Sequence, residues 1–335
     1  MPVRFYCSNS FWLFSFSLVS VFGCSPEKAK KETTSAQSTV KETPYRYTRE
    51  TLSDSDSSLT HAWLEMLNQT LDSIVNHYEA QEDIQAIAVH YCDLNTNTRV
   101  SIHPEQKFIP ASLLKVPTLV GLLKLVEANK ANLSDLTDVP HVEDIHDYMN
   151  WEENEVYQQW QNRPYSLAEL ADIMVRFSDN RATLAILYYI DGKQPGFLEE
   201  TEDQLQAKIP NSATNTEDII LVTHLSGIYN ALYNHNFLNY EHSEMALKML
   251  SNSQYKAGFK KAIPATVQLA HKHGIRINQN APANGFPIQL HETGIIYVAG
   301  RPFILSVMTK GRNIDKQRQV LQAFASDCYQ LQLNR

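Results

Sequence analysis

Hydrophobic residues follow two different periods along the chain. Apolar residues at helical spacing predict an amphipathic helix over Leu59–Glu79. The runs QAIAVHYCDL, NTNT and RVSIH come next and predict a β-strand, a turn and the second strand of a hairpin. Helical patterns then recur from Ser112 to about residue 262, with an irregular stretch over residues 130–165. Ser112–Ala128 is apolar nearly all round, which predicts a buried helix, and Ser166 with Glu169 forms a capping box that begins another helix.

Strand-like runs return towards the carboxyl terminus. TVQLAHKHGI, PIQLHETGIIYV and RPFILSVMTKG are separated by turn residues, and a final helix is predicted over about Ile314–Leu331. Strands therefore occur at both ends of this part of the chain, with helices between them. The economical architecture is α+β, with one five-stranded antiparallel sheet assembled from both chain ends and an all-helical region inserted.

The first residues predict an exported protein. Arg4 precedes the apolar run Phe11–Val21, which is too short to cross a bilayer comfortably. The run ends in VFGC, which resembles a bacterial lipoprotein box and would make Cys24 the lipidated residue. A plain secretory signal is the alternative.

These features divide the chain into three predicted parts. Residues 1–23 form the lipoprotein-type signal peptide, and residues 24–56, rich in Ser, Thr, Lys and Glu, form a disordered tether. Residues 57–335 form the folded domain. We expect the protein to lie in the periplasm or at the cell surface, attached to the membrane only through the lipid.

Composition argues against several classes of function. The formal net charge is −8 and no basic stripe is present, which argues against nucleic-acid binding. No glycine-rich phosphate loop occurs, so we expect neither a nucleotide nor another cofactor, and we expect a monomer. Cys92 and Cys328 remain in the mature domain, where a disulfide and two free buried thiols are both open interpretations.

Ser112 and Lys115 are the first candidates for chemistry. At i and i+3 near a helix start, their side chains face the same way. Burial would disfavour the lysine ammonium, and a neutral amine can take the serine proton. The structural alternative is a serine that caps the helix and a lysine that extends to water. The spacing alone is uninformative, because it recurs at Ser25–Lys28, Ser38–Lys41 and Ser253–Lys256.

Two further polar motifs interrupt apolar runs. Ser178–Asp179–Asn180 lies between two helical patterns, where a loop can present side chains to a cleft, and a helix N-cap is the alternative. Lys272–His273–Gly274 lies near the end of a predicted strand. The lysine adds positive field and the glycine permits close approach of a substrate backbone. An exposed strand end is the alternative.

Ser-x-x-Lys, Ser-Asp-Asn and Lys-x-Gly, in this order on an α+β chain, resemble the class A β-lactamase and penicillin-interacting serine hydrolase family. The resemblance extends from about residue 60 to the end and implies a β-lactamase/transpeptidase-like fold. It implies that Ser112 is the acylated nucleophile, that Lys115 is its base or proton shuttle, and that Ser178 passes a proton to the leaving nitrogen. It further implies substrate contacts from Asn180, Lys272 and Gly274, and an oxyanion hole formed by the N–H groups of Ser112 and Ile275.

The chain departs from this family at two places. His273 replaces a hydroxyl residue that binds the substrate carboxylate, so either an imidazolium substitutes, with activity rising at lower pH, or the ring fills the site. His271, His273 and His291 also suggest a metal site, which we disfavour because no fourth ligand is evident, so no metal is predicted. The deacylating glutamate has no clear counterpart. Glu202 in EDQLQ is the nearest, and it reads better as part of an acidic helix face.

The sequence therefore predicts an acyl-serine hydrolase whose substrate is a small-molecule β-lactam or a D-alanyl cell-wall peptide. Slow deacylation would make it a D,D-peptidase or penicillin-binding protein. A non-catalytic module that binds cell-wall peptides on the same scaffold is the alternative from another class.

Overall fold

The computed structural model describes residues 47–48, 61–140, 159–205, 218–278, 281–282 and 285–335. The predicted signal peptide and Cys24 lie outside these residues. The strands are β1 Ile84–Asp93, β2 Arg99–Ile102, β3 Lys107–Phe108, β4 Leu136–Thr137, β5 Tyr165–Ser166, β6 Ile220–Leu221, β7 Gln268–Ile277, β8 Ile288–Tyr297 and β9 Phe303–Gly311. The helices are α1 His61–Glu79, α2 Lys115–Glu127, α3 Leu167–Arg176, α4 Asn180–Lys193, α5 Phe197–Gln204, α6 Val222–Tyr233, α7 Tyr240–Ser251, α8 Phe259–Ala262 and α9 Ile314–Leu333. A 3₁₀ turn, Ala111–Leu114, leads into α2.

The main sheet has five antiparallel strands drawn from both chain ends, as the sequence predicts, and their order is β2-β1-β9-β8-β7. The inner strands β1, β8 and β9 are buried along nearly their whole length. β1 and β9 are mainly apolar because helices cover both faces of the sheet, whereas β8 also buries polar residues such as His291 and Glu292. The strand β7 lies at one edge, where it contacts the 3₁₀ turn.

Two hydrophobic clusters lie on the two faces of the sheet. One face packs against α1, α8 and α9, through residues such as Leu71, Phe259 and Phe324. The other packs against the inserted helices, with Leu123 of α2 and Tyr229 of α6 in its cluster. Among the residues that the structure describes, the regular structure of the inserted region is helical apart from β4 paired with β5, and β6 paired with β3. This layering places the start of α2 beside the edge strand β7.

Tyr47 and Thr48 lie within the predicted disordered tether, and there the prediction is wrong. Their backbone N–H groups donate to Glu244 Oε2 of α7 at 2.7 and 2.9 Å. The Tyr297 hydroxyl donates to the carbonyl of Tyr47 at 2.9 Å, and Thr48 is buried. Interaction with the folded domain therefore begins before residue 57.

Cys92 and Cys328 are both free and buried, so the free-thiol interpretation holds. Burial raises the pKa of each thiol, which keeps both protonated and weakly reactive. In the described part of the chain, no helix combines the length and apolar character needed to cross a membrane.

Candidate active site

Ser112 lies in a backbone turn that holds its hydroxyl towards Lys115. The preceding residue, Ala111, has φ 49°, a left-handed conformation that costs an L-residue roughly 1–3 kcal/mol. The Ser112 side chain does not cap either helical segment. Instead, its Oγ accepts a hydrogen bond from Lys115 Nζ at 2.8 Å. The structural alternative of a capping serine therefore does not apply.

Lys115 is the first residue of α2, and its side chain does not extend to water. The residue is only 4% exposed, and Nζ also donates to Asn180 Oδ1 at 2.7 Å. Burial lowers its pKa to about 8, while the negative charge of Asp179 acts in the opposite direction. A lysine with a pKa of about 8 is a neutral amine in roughly one molecule in ten at pH 7. Such an amine can accept the Ser112 proton.

The three residues of the Ser-Asp-Asn motif have different surroundings. Ser178 is buried, with φ 57°, and Asp179 caps α4 by accepting from Ala182 N at 2.9 Å. Asn180 begins α4 and contacts Lys115, as described above. The alternative of a helix cap is therefore correct for Asp179. This cap is compatible with Ser178 and Asn180 presenting their side chains to the site.

Lys272 connects the edge strand to the motif. It is fully buried on β7, where Nζ donates to Ser178 Oγ at 2.8 Å and to the carbonyl of His273 at 2.8 Å. Burial, and then the neighbouring Lys115, lower the pKa of Lys272 well below its usual range, while Glu292 opposes them. Ser112 with Lys115, and Ser178 with Lys272, thus form two serine–lysine pairs, and Asn180 contacts the first.

Gly274 allows β7 to approach the nucleophile. A Cβ on this residue would lie 3.0 Å from the Pro110 oxygen and 3.1 Å from the Ser112 nitrogen. Any larger residue would push the strand away from the 3₁₀ turn. Ile275 follows it in β7 and is half-buried, opposite Leu290 of β8.

His273 does not present a charged ring. Its imidazole stacks on Tyr255, with centroids 3.9 Å apart and an interplanar angle of 13°, and the residue is 8% exposed. Burial, and then the charge of Lys272, lower its pKa well below the usual range. The imidazolium hypothesis is therefore disfavoured, and the structure supports a neutral ring that fills the site.

The other two histidines of this region have protein partners. His271 Nδ1 lies 2.6 Å from Glu292 Oε1, and His291 Nε2 lies 2.8 Å from the Ile109 carbonyl. Among the residues that the structure describes, no cluster of three or more His, Cys, Asp or Glu side chains is arranged to hold a metal ion.

Glu202 occupies a different environment from the one predicted. It lies in the last turn of α5 and is 7% exposed, so it is buried, whereas Glu199, Glu200 and Asp203 form the exposed acidic side of this helix. The neighbouring Thr201 faces Gly121 of α2, where its Cγ2 would lie 3.9 Å from an added Cβ.

Sequence reasoning missed two interactions that shape this site. Asp179 opposes the pKa shift of Lys115, and Tyr255 covers the His273 ring. The motif and the capping pattern identify Asp179, but neither predicts the effect of its charge on the pKa of Lys115. Tyr255 carries no sequence signal, because its contact with β7 depends on the packing of the loop before α8.

The Ser112–Lys115 pair at the start of α2 lies beside a second serine–lysine pair on the edge of an antiparallel sheet, in a β-lactamase-like fold. A family model described as the beta-lactamase enzyme family matches residues 66–332, and the chain belongs to that family. No curated protein sequence matches the chain.

Solved structures show the same fold at low sequence identity. PBP-A has 18% identity and a TM-score of 0.65, with 80% of this chain and 97% of that chain covered. A mutant of PBP-A, in an acyl-enzyme complex with penicillin G, has 17% identity and a TM-score of 0.64, with 81% and 98% covered. A beta lactamase from Xanthomonas campestris pv. campestris has 14% identity and a TM-score of 0.64, with 79% and 98% covered.

Proposed function

We propose that the protein is an acyl-serine hydrolase that acts on β-lactams or D-alanyl cell-wall peptides through an acyl-enzyme on Ser112. The observation that carries the proposal is the 2.8 Å contact between Ser112 Oγ and the Nζ of Lys115, whose pKa burial lowers to about 8. A serine hydroxyl becomes a useful nucleophile only when a nearby base can take its proton.

The reaction begins when the Lys115 amine takes the proton from Ser112 Oγ, which attacks the carbonyl carbon of the substrate amide. The N–H groups of Ser112 and Ile275 stabilise the oxyanion. The C–N bond breaks, Ser178 gives its proton to the leaving nitrogen, and the proton on Lys115 restores the Ser178 hydroxyl. Water then hydrolyses the Ser112 ester and releases the acid.

Lys272 and Asn180 orient the substrate in this scheme. Lys272 holds Ser178 by the 2.8 Å hydrogen bond and attracts the substrate carboxylate. The Asn180 side chain, whose Oδ1 accepts from Lys115, presents its amide group to the substrate amide. Gly274 lets β7 approach the 3₁₀ turn that carries Ser112. The neutral His273 supplies no charge for the substrate carboxylate.

Slow deacylation is the form of this function that we favour. The family's deacylating glutamate has no matching motif here, and a PBP-A mutant of the same fold is known as an acyl-enzyme complex with penicillin G. A D,D-peptidase or penicillin-binding protein is therefore favoured over an efficient β-lactamase. A non-catalytic binding module is disfavoured, because Ser112 and Lys115 keep a reactive geometry.

Intact-mass measurement of the purified protein during exposure to benzylpenicillin tests this proposal. We expect an adduct that persists in the native protein and is absent in Ser112→Ala. Ser253→Ala is the matched control, because Ser253 belongs to another Ser-x-x-Lys string. An adduct that disappears as hydrolysed drug accumulates would instead identify a β-lactamase. Failure of native protein to form an adduct with either benzylpenicillin or a D-alanyl peptide ester would overturn the acyl-serine mechanism.

We further propose that the protein is exported and anchored through a lipid on Cys24. The short apolar run and the VFGC string support this, and a cell-wall substrate is compatible with it. Labelling cells with a fatty-acid analogue is expected to mark the native protein but not Cys24→Ser. Equal labelling of both would contradict lipidation at this residue.

A further inference from the structure

Ile109 lies three residues before the nucleophile, and side chains of β8 hydrogen-bond to both its backbone N–H group and its carbonyl. Ile109 N donates to Gln289 Oε1 at 2.8 Å, and the Ile109 carbonyl lies 2.8 Å from His291 Nε2. Gln289 and His291 are two positions apart on one strand, so their side chains project from the same face of the sheet. Only Pro110 and Ala111 separate Ile109 from Ser112.

Hydrogen bonding fixes the orientation of the His291 ring. Its Nδ1 accepts from the backbone N–H of Thr309 at 3.2 Å, so in the neutral ring Nε2 carries the hydrogen and donates to the Ile109 carbonyl. The ring is fully buried and makes an edge contact with Phe108, with centroids 5.4 Å apart. Burial lowers the pKa of His291 to about 4, so the ring keeps this single tautomer at neutral pH.

Gln289 is held at both ends of its amide group. Its Oε1 accepts from Ile109, and its Nε2 donates to Asp218 Oδ1 at 2.7 Å. Asp218 also accepts from Lys310 Nζ at 2.9 Å through its other oxygen. The amide therefore cannot rotate without losing a partner. Asp218 lies two residues before β6, which pairs with the strand β3 that leads to Ile109.

We propose that Gln289 and His291 are positioning residues that clamp Ile109 to β8 and so hold Ser112 Oγ against Lys115 Nζ. The inference rests on the proposed acyl-serine function, and it names residues for which the family motifs give no role. Ala111, between the clamp and the nucleophile, has φ 49°, which an unrestrained alanine would relax. Ile109 on its amino-terminal side and α2 on its carboxyl-terminal side are both held in place, and together they maintain this conformation of Ala111. Both clamp residues are buried.

Two substitutions of His291 separate positioning from general stability. In His291→Asn, the amide can still accept from Thr309 N but is too short to reach the Ile109 carbonyl. In His291→Gln, the longer amide can donate to that carbonyl. We expect His291→Asn to lower the benzylpenicillin acylation rate roughly tenfold to 100-fold, because small misplacements of reacting groups have effects of this size. His291→Gln is expected to recover most of the rate.

A pair of glutamine substitutions provides a matched control. Gln289→Met removes the hydrogen bond to Ile109, whereas Gln317→Met removes hydrogen bonds to Ile288 of β8 and to Thr309. Both glutamines are buried and both support the sheet. Only Gln289→Met should slow acylation, while both should lower the melting temperature.

Amide hydrogen exchange of residues 108–114 gives a readout that does not depend on activity. We expect faster exchange there in His291→Asn and Gln289→Met, and native exchange in His291→Gln and Gln317→Met. Native exchange in His291→Asn, or acylation equally slow in His291→Gln and His291→Asn, would overturn the clamp. If the native protein forms no adduct, the acyl-serine proposal fails, while hydrogen exchange still decides whether the clamp holds this segment.

Discussion

At the scale of single residues, Lys115 controls the pH dependence of the proposed acylation. The reactive form is the neutral amine, and the pKa lies at about 8, so the acylation rate should rise with pH until about that value. Asp179 favours the charged form, so Asp179→Asn should move this rise to lower pH while the asparagine still caps α4. Benzylpenicillin acylation rates between pH 5 and 10 measure both profiles. An unshifted profile in Asp179→Asn, beside a native-like Asp172→Asn control, would contradict the assignment.

His273 should not contribute a charge at any pH near neutrality. Its pKa is lowered well below the usual range because the ring is buried against Tyr255 and beside Lys272. We therefore expect acylation to continue falling from pH 7 to pH 5, and the His273 ring signals to show no titration in that range by NMR. A rate that increases on acidification, together with a titrating ring, would restore the imidazolium hypothesis.

At the scale of secondary structure, the position of α5 matters for deacylation because this helix carries Glu202. Its last turn faces Gly121, six residues along α2 from Lys115, which corresponds to about 9 Å of helix. Because this contact lies away from the first turn of α2, we assign Glu202 no part in deacylation. Glu202→Gln should therefore leave the lifetime of the penicillin adduct unchanged, as followed by intact mass. A lifetime at least tenfold longer in this variant would identify Glu202 as the deacylating base.

The elements differ in how well the sequence predicts them, for a physical reason. Local periodicity and capping define α1, α3 and α9, and their bounds agree with the predicted ranges within a few residues. The pairing of β3 with β6 lacks such a signal, because each strand has two residues and the partners are distant in sequence. The docking of Tyr47 on Glu244 depends in the same way on a contact that no local pattern encodes.

The candidate site shows the same limit. The motif order brought Ser112, Lys115, Ser178 and Lys272 to attention, and the structure places them in two hydrogen-bonded pairs. The supporting residues Gln289 and His291 lie on an ordinary strand, so only the folded arrangement reveals their contact with Ile109.

At the scale of the whole molecule, we expect the burial of Lys115 to reduce the stability of the fold. Lys115 is charged in the unfolded chain up to its ordinary pKa of 10.5, but in the folded protein its pKa is about 8. Below pH 8 both states bind the proton and the folded state carries the full penalty of burying it. Between those two values the unfolded state binds more protons, so this group's contribution to stability becomes more favourable as pH rises.

Lys115→Met removes that buried charge and retains an unbranched side chain of similar length. It also removes the hydrogen bonds to Ser112 and Asn180, so we expect a net stabilisation of about 1–2 kcal/mol at pH 7, with acylation abolished. The advantage should shrink as the pH increases from 8 towards 10. Urea unfolding of both proteins across this range measures it, with Lys124→Met, a half-exposed lysine of the same helix, as the control. A variant that is less stable than the native protein at pH 7 would mean that the hydrogen bonds outweigh the burial of the charge.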